Sequence, residues 1–205
     1  MRPGDLTPPT WVHQVAFPFG LADAKFVLDQ VEKLDAVPGG RFRGRLDLSR
    51  IGMLGFSYGG AMAVEMSIRD PRIKAAVDQD GSLCCTARTT GTSRPAMLMH
   101  NANTPESDTA SHSPRAFMAR STGPVYDVTI ARTHHGHFSD LSLYLYQDVF
   151  RDSIWIDPHR AHRIINAYTQ EFFDHHLKNR PSDLLSGRAT PFAEVTLKRK
   201  DPAPQ

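Results

Sequence analysis

The chain has 205 residues and a mass of 22.8 kDa, with 40% apolar residues and a formal net charge of +2 from 24 basic and 22 acidic side chains. That length suits one globular domain, the composition excludes a disordered or fibrous chain, and the charge is too small to draw the protein onto nucleic acid or anionic lipid. No apolar run approaches the roughly 18 residues of a membrane span, and residues 1–9 lack the apolar core of a secretory signal, so the chain reads as cytoplasmic as numbered, or secreted if an amino-terminal segment is missing. Residues 1–20 carry Pro3, Pro8, Pro9, Pro18, Gly4 and Gly20 without sustained periodicity and read as an irregular leader. Over residues 21–36, Ala24, Val27, Leu28, Val31 and Leu34 recur at helical spacing until Pro38-Gly39-Gly40, which predicts an amphipathic helix with one buried face. Residues 50–55 form the short apolar run of a strand buried on both faces, and a helix over 58–69 follows almost at once. Runs of strand length recur at 73–77, 96–99 and 125–130, with a helix over 109–120 between the last two. Strands alternating with helices predict a parallel α/β sheet covered on both sides. Residues 158–178 predict a helix with Pro158 in its first turn and an apolar stripe of Ile164, Ile165, Tyr168, Phe172, Phe173 and Leu177 that packs on the sheet. Residues 192–197 alternate like a short strand, which places one domain over 21–198 and a tail over 199–205.

Chemistry concentrates at Gly55-Phe56-Ser57-Tyr58-Gly59, a G-x-S-x-G sequence with a strand running in and a small-residue helix running out. A nucleophile elbow needs that context: a tight strand-to-helix turn lifts the serine Oγ above the sheet, and the helix start aims free N–H groups at a developing oxyanion. A serine needs a base and an orienting acid, supplied in this architecture in the order Ser, Asp or Glu, His. The strand at 73–77 runs out into Asp78 and Asp80, and the strand at 125–130 into His134, His135 and His137, so acid and base candidates share the serine's rim of the sheet. A metal reading of His135 and His137, helped by His175 and His176, lacks a supporting motif, and that last pair reads as a solvated helical face. Cys84 and Cys85 are adjacent and offer neither a disulfide framework nor a CxxC spacing, while Met97 and Met99 read as core.

The run LDLSRIGMLGFSYGGAMAVEMSIRDPRIKAAVDQDGSL resembles the nucleophile region of bacterial α/β-hydrolases of the platelet-activating-factor acetylhydrolase type. FVLDQVEKLDA, HHGHFSDL and IDPHRAHRIINAYTQEFFDHHL extend the resemblance over about residues 22–197. It implies an α/β-hydrolase fold, a carboxylic-ester hydrolase with no cofactor or metal, a small ester or lipid substrate, and Ser57 as nucleophile. It places the acid at Asp80 in its Asp-Gly-Ser context, in preference to Asp78. The histidine falls on His135, three residues before Phe138-Ser139-Asp140. The backbone N–H of Tyr58 becomes one oxyanion donor. Read from the residues themselves, Phe56, Trp155 and the Tyr58 ring are candidates to line the substrate pocket or to be ordinary core.

The resemblance also exposes a departure. Four parallel strands are legible where the family has about eight, because a helix and a leader precede the elbow strand in place of further strands, which predicts a sheet truncated to its carboxyl-terminal strands. The edge beside the elbow strand is then open, and a homo-oligomer covering it is one expectation. A second oxyanion donor has no evident source, so low activity of this chain is another. The alternatives are a weakly active or inactive scaffold binding a partner through that edge, and a polyester or dienelactone-type hydrolase. Ser57 in place of the cysteine more usual in dienelactone hydrolases favours ester substrates.

Overall fold

A computed structural model describes residues 16–102, 113–144 and 154–202. The helix α1 (Phe17–Ala36) is followed by β1 (Ile51–Phe56), α2 (Tyr58–Arg69), β2 (Ile73–Gln79), α3 (Cys85–Thr90), β3 (Ala96–Asn101), α4 (Pro114–Arg120) and β4 (Val125–Ile130). A 3₁₀ turn (His135–Phe138), the short α5 (Leu141–Tyr144), the long α6 (Pro158–Lys178) and β5 (Val195–Lys200) complete the order. The strands form one sheet in the order β1-β2-β3-β4-β5, with β1 to β4 parallel and β5 antiparallel to β4.

The side-chain alternation of the parallel strands divides the core in two. Ala75, Val77, Met97, Met99 and Val128 face Ile164, Ile165, Tyr168 and Phe172 of α6. On the other face Ala76, Leu98 and Val125 pack against Val64 of α2, Ala87 of α3 and Phe117 of α4. The result is a three-layer α/β/α sandwich in which the strands' carboxyl ends share one rim. Gly52 lets α6 settle on β1, since a Cβ there would meet the Phe173 ring at 2.5 Å.

The sequence expectations differ from the structure at particular places. The first helix begins at Phe17, inside the stretch expected to be irregular, because Pro18 occupies its first turn, where a missing N–H costs nothing; residues 1–15 lie outside the described residues. Its expected buried face is only partly buried: Ala24, Leu28 and Val31 are half-buried, Val27 and Leu34 are exposed, and Phe17 is the fully enclosed residue of the helix. Among the described residues β1 is an edge strand with no further strand beneath α1, and the helix leans by Phe17 and Leu21 on Ala61, Tyr58 and Met62 of α2. β1, expected to be buried on both faces, is only partly so: α6 meets it at Gly52, but Leu54 remains 50% exposed. The helix expected over 109–120 is α4 from Pro114, its earlier part lying outside the described residues. Helix α3 had no periodic signal and exists through a cap from elsewhere: the buried Glu65 carboxylate accepts the N–H groups of Thr86 at 3.2 Å and Ala87 at 2.8 Å. His176 is not on a solvated face, because its ring packs against Tyr126 and Phe172.

Candidate active site

Ser57 follows β1, Asp80 follows β2 and His135 follows β4, which brings all three to the carboxyl-end rim. Ser57 adopts φ 57° and ψ −122°, a conformation that costs a non-glycine residue of order 1–3 kcal/mol and persists only where its surroundings impose it. They do so here. The Ser57 N–H donates to Gln79 O at 2.8 Å, and the Ser57 carbonyl accepts from Gly60 and Ala61 at 3.0 and 3.2 Å as α2 begins. Gly55 lies so close to the backbone of Gly59 and Gly60 that a Cβ on it would overlap both, whereas a Cβ on Gly59 would meet nothing. Of the two motif glycines, Gly55 is therefore the one whose missing side chain closes the turn.

Asp80 is also at positive φ, 57°, and its side chain is 3% exposed. Its carboxylate is held by the Asn101 N–H at 2.9 Å and the Asn101 amide at 3.0 and 2.8 Å. The carboxylate oxygen Oδ2 lies 2.7 Å from His135 Nδ1, and His135 Nε2 lies 3.0 Å from Ser57 Oγ. A carboxylate can only accept, so Nδ1 carries the proton and Nε2 is left to accept from the serine hydroxyl. The imidazole is 53% exposed and open to an incoming molecule, with Phe56 stacked against it at a centroid distance of 4.5 Å. Tyr58 is the first residue of α2, so its N–H has no partner within the helix and lies beside Ser57.

The neighbouring histidines build the loop. His134 Nδ1 accepts the Gly136 N–H at 3.0 Å, His137 Nδ1 accepts the His134 N–H at 3.2 Å, and His137 Nε2–H donates to Ile156 O at 3.2 Å. Burial depresses the basicity of both rings, which keeps them neutral in these roles. Trp155 packs edge-on against His134 at 4.9 Å and braces this loop. Asp78, the rival acid, does not reach the histidines: it is fully buried, and its Oδ1 accepts the Gly81 N–H at 2.7 Å. His175 Nδ1–H donates to Arg180 O, and no three potential metal-binding side chains converge among the described residues. Asn101 was missed by sequence reasoning, its only signal being a polar residue at the end of an apolar strand. A cavity of about 340 Å³ lined by Phe17, Leu21, Met66 and Cys85 adjoins the far end of α2, away from Ser57.

A sharp strand-turn-helix carrying a strained serine, on a mostly parallel sheet sandwiched by helices, defines an α/β-hydrolase. The family model for platelet-activating factor acetylhydrolase, isoform II, matches residues 28–184, and the chain belongs to that family. It is similar to a ferulic acid esterase from Streptomyces cinnamoneus, with 28% identity and a TM-score of 0.73 over 89% of this chain. The chain spans about half the length of that esterase, 54%. No curated protein matches it.

Proposed function

We propose that the chain is a serine carboxylic-ester hydrolase working through an acyl-serine. The observation that carries this reading is the continuous hydrogen-bonded relay from Asp80 through His135 to Ser57, at 2.7 and 3.0 Å. Ser57 Oγ attacks the ester carbonyl while its proton passes to His135 Nε2. Asp80 holds the ring and stabilises the imidazolium that forms. The carbonyl oxygen, now an oxyanion, accepts the Tyr58 N–H at the positive end of α2. Collapse of this intermediate breaks the C–O bond to the alcohol, which leaves with the proton from Nε2. Water, deprotonated by the same nitrogen, then cleaves the acyl-serine. Phe56, stacked on His135, forms an apolar wall beside the attack site, with Trp155 fixing the loop behind it. Membership of an acetylhydrolase family and likeness to a ferulic acid esterase both support small or lipid-like esters as substrates.

The test is covalent labelling by a fluorophosphonate together with turnover of p-nitrophenyl acetate. The expected result is one label on Ser57 and hydrolysis lost in Ser57→Ala. A folded protein that takes no label contradicts the proposal and supports the second reading, a scaffold that binds a partner along β1, which the unpaired edge with its exposed Leu54 favours.

A further inference from the structure

Beneath the elbow lies a carboxyl group that the mechanism does not use. Asp78 sits on β2 between its register neighbours Gly55 of β1 and Leu98 of β3, and its side chain is completely enclosed. The carboxyl fills the crevice between two glycines: a Cβ on Gly60, in the first turn of α2, or on Gly81, next to Asp80, would overlap Asp78 Oδ1. That oxygen accepts the Gly81 N–H at 2.7 Å, while Oδ2 has no hydrogen-bond partner among the described residues. Gly81 in turn lies directly against the Ser57 carbonyl. One side chain thus joins the turn that bears Ser57 to the turn that bears Asp80.

Among the described residues no cation compensates a charge there. Gly55, Gly60 and Leu98, presented by β1, α2 and β3, cannot ionise, and the ionisable group that acts on Asp78 is Asp80, whose negative charge opposes a second one. An enclosed carboxylate with a single N–H donor is costly, more so than the neutral acid, which keeps the Gly81 bond and leaves one uncharged O–H at Oδ2 to be accommodated.

We propose that Asp78 is a positioning residue for hydrolysis, a neutral carboxylic acid that clamps the Ser57 and Asp80 turns together and releases them when it ionises. This rests on the reading of Ser57 and Asp80 as reacting machinery. Burial, reinforced by Asp80, pushes the Asp78 carboxyl up to about 8, so the clamp is intact at neutral pH and opens on the alkaline side. A general base works when deprotonated, so deprotonation of a base does not produce an alkaline loss.

The experiment compares wild type with Asp78→Asn, which keeps the acceptor for Gly81 and cannot ionise. Each kcat/KM profile for p-nitrophenyl acetate is normalised to its own maximum between pH 6 and 10. The wild type is expected to lose activity reversibly with a midpoint near 8, and in Asp78→Asn that limb is expected to move up by at least one pH unit. Identical alkaline limbs, or a failure of this uncharged isostere to fold, would overturn the proposal. A second readout does not depend on turnover. The folded state holds a proton that the unfolded chain releases near pH 4, so wild-type Tm should fall relative to Asp78→Asn from about pH 4 to about pH 8 and run parallel above it. If Ser57→Ala retains hydrolysis while the Tm difference is present, the assignment of Ser57 fails and the neutral clamp stands; parallel Tm curves throughout sink the clamp whatever Ser57 does.

Discussion

At the scale of single residues, the Asp80 carboxylate is asked to accept from Asn101 and His135 at once, and its two oxygens divide that work. Asp80→Asn puts an amide where only an acceptor serves, and the imidazole tautomer that leaves Nε2 free is no longer favoured. The expected loss in kcat is about 10⁴-fold with the fold intact, read by ester hydrolysis beside circular dichroism. Asn101→Ala removes the two side-chain bonds and leaves the backbone one, so the carboxylate is under-solvated. The cost should be about 1–3 kcal/mol in urea unfolding, with a fall in kcat that is smaller than for Asp80→Asn. That Ser57, Asp80 and His135 meet on one rim could be read from sequence, because Ser57 and Asp80 directly follow β1 and β2, His135 lies a few residues beyond β4, and strand ends are what apolar runs reveal. The part of Asn101 could not, since its bonds cross from β3 to the end of β2 and local sequence carries no trace of that pairing. Trp155 shows the same limit from the other side: an aromatic residue near the rim is visible, but not that its ring lies against His134.

Helices α3 and α6 bracket what the sequence could say about elements. Helix α6 was visible end to end because Pro158 starts it and its apolar stripe keeps helical period; in the structure Asp157 caps it and Asn179 in the left-handed region ends it. Phe172 is the fully enclosed centre of that stripe, and Phe172→Ala should cost about 3–5 kcal/mol in chemical denaturation. The same inner face carries His176, whose basicity burial lowers to about 4. Between about pH 6.5 and 4 the unfolded chain therefore binds a proton there that the folded chain does not, and stability falls as pH falls. His176→Phe, which keeps a ring against Tyr126 and Phe172, should flatten this acid slope in a Tm-versus-pH series; an unchanged slope contradicts the assignment. Helix α3, six residues long and rich in threonine, has no such internal support. Glu65 fixes its start from α2, so Glu65→Ala should lower stability by about 1–3 kcal/mol through two orphaned N–H groups.

Across the whole molecule the two edges of the sheet are treated differently. The outer strand β5 carries Lys198, Arg199 and Lys200, and charged side chains along an edge discourage another strand from pairing. The opposite edge, β1, reads Ile-Gly-Met-Leu-Gly-Phe without a charge or a proline, and the adjoining α1 exposes Phe26, Val27 and Leu34. Sheet hydrogen bonding and apolar burial thus offer the same side of the molecule to a second chain, and β5 does not compete. The chain should associate through β1 as its concentration rises, seen as a growing mass in light scattering after size exclusion. Leu54→Lys places a charge on the exposed side of that strand and should return the protein to the monomer mass. A matching Lys198→Glu change on β5, which exchanges one charge for another, should leave association untouched. A wild type that stays monomeric throughout would mean that α1 and the strand's own glycines already make β1 a poor template for pairing.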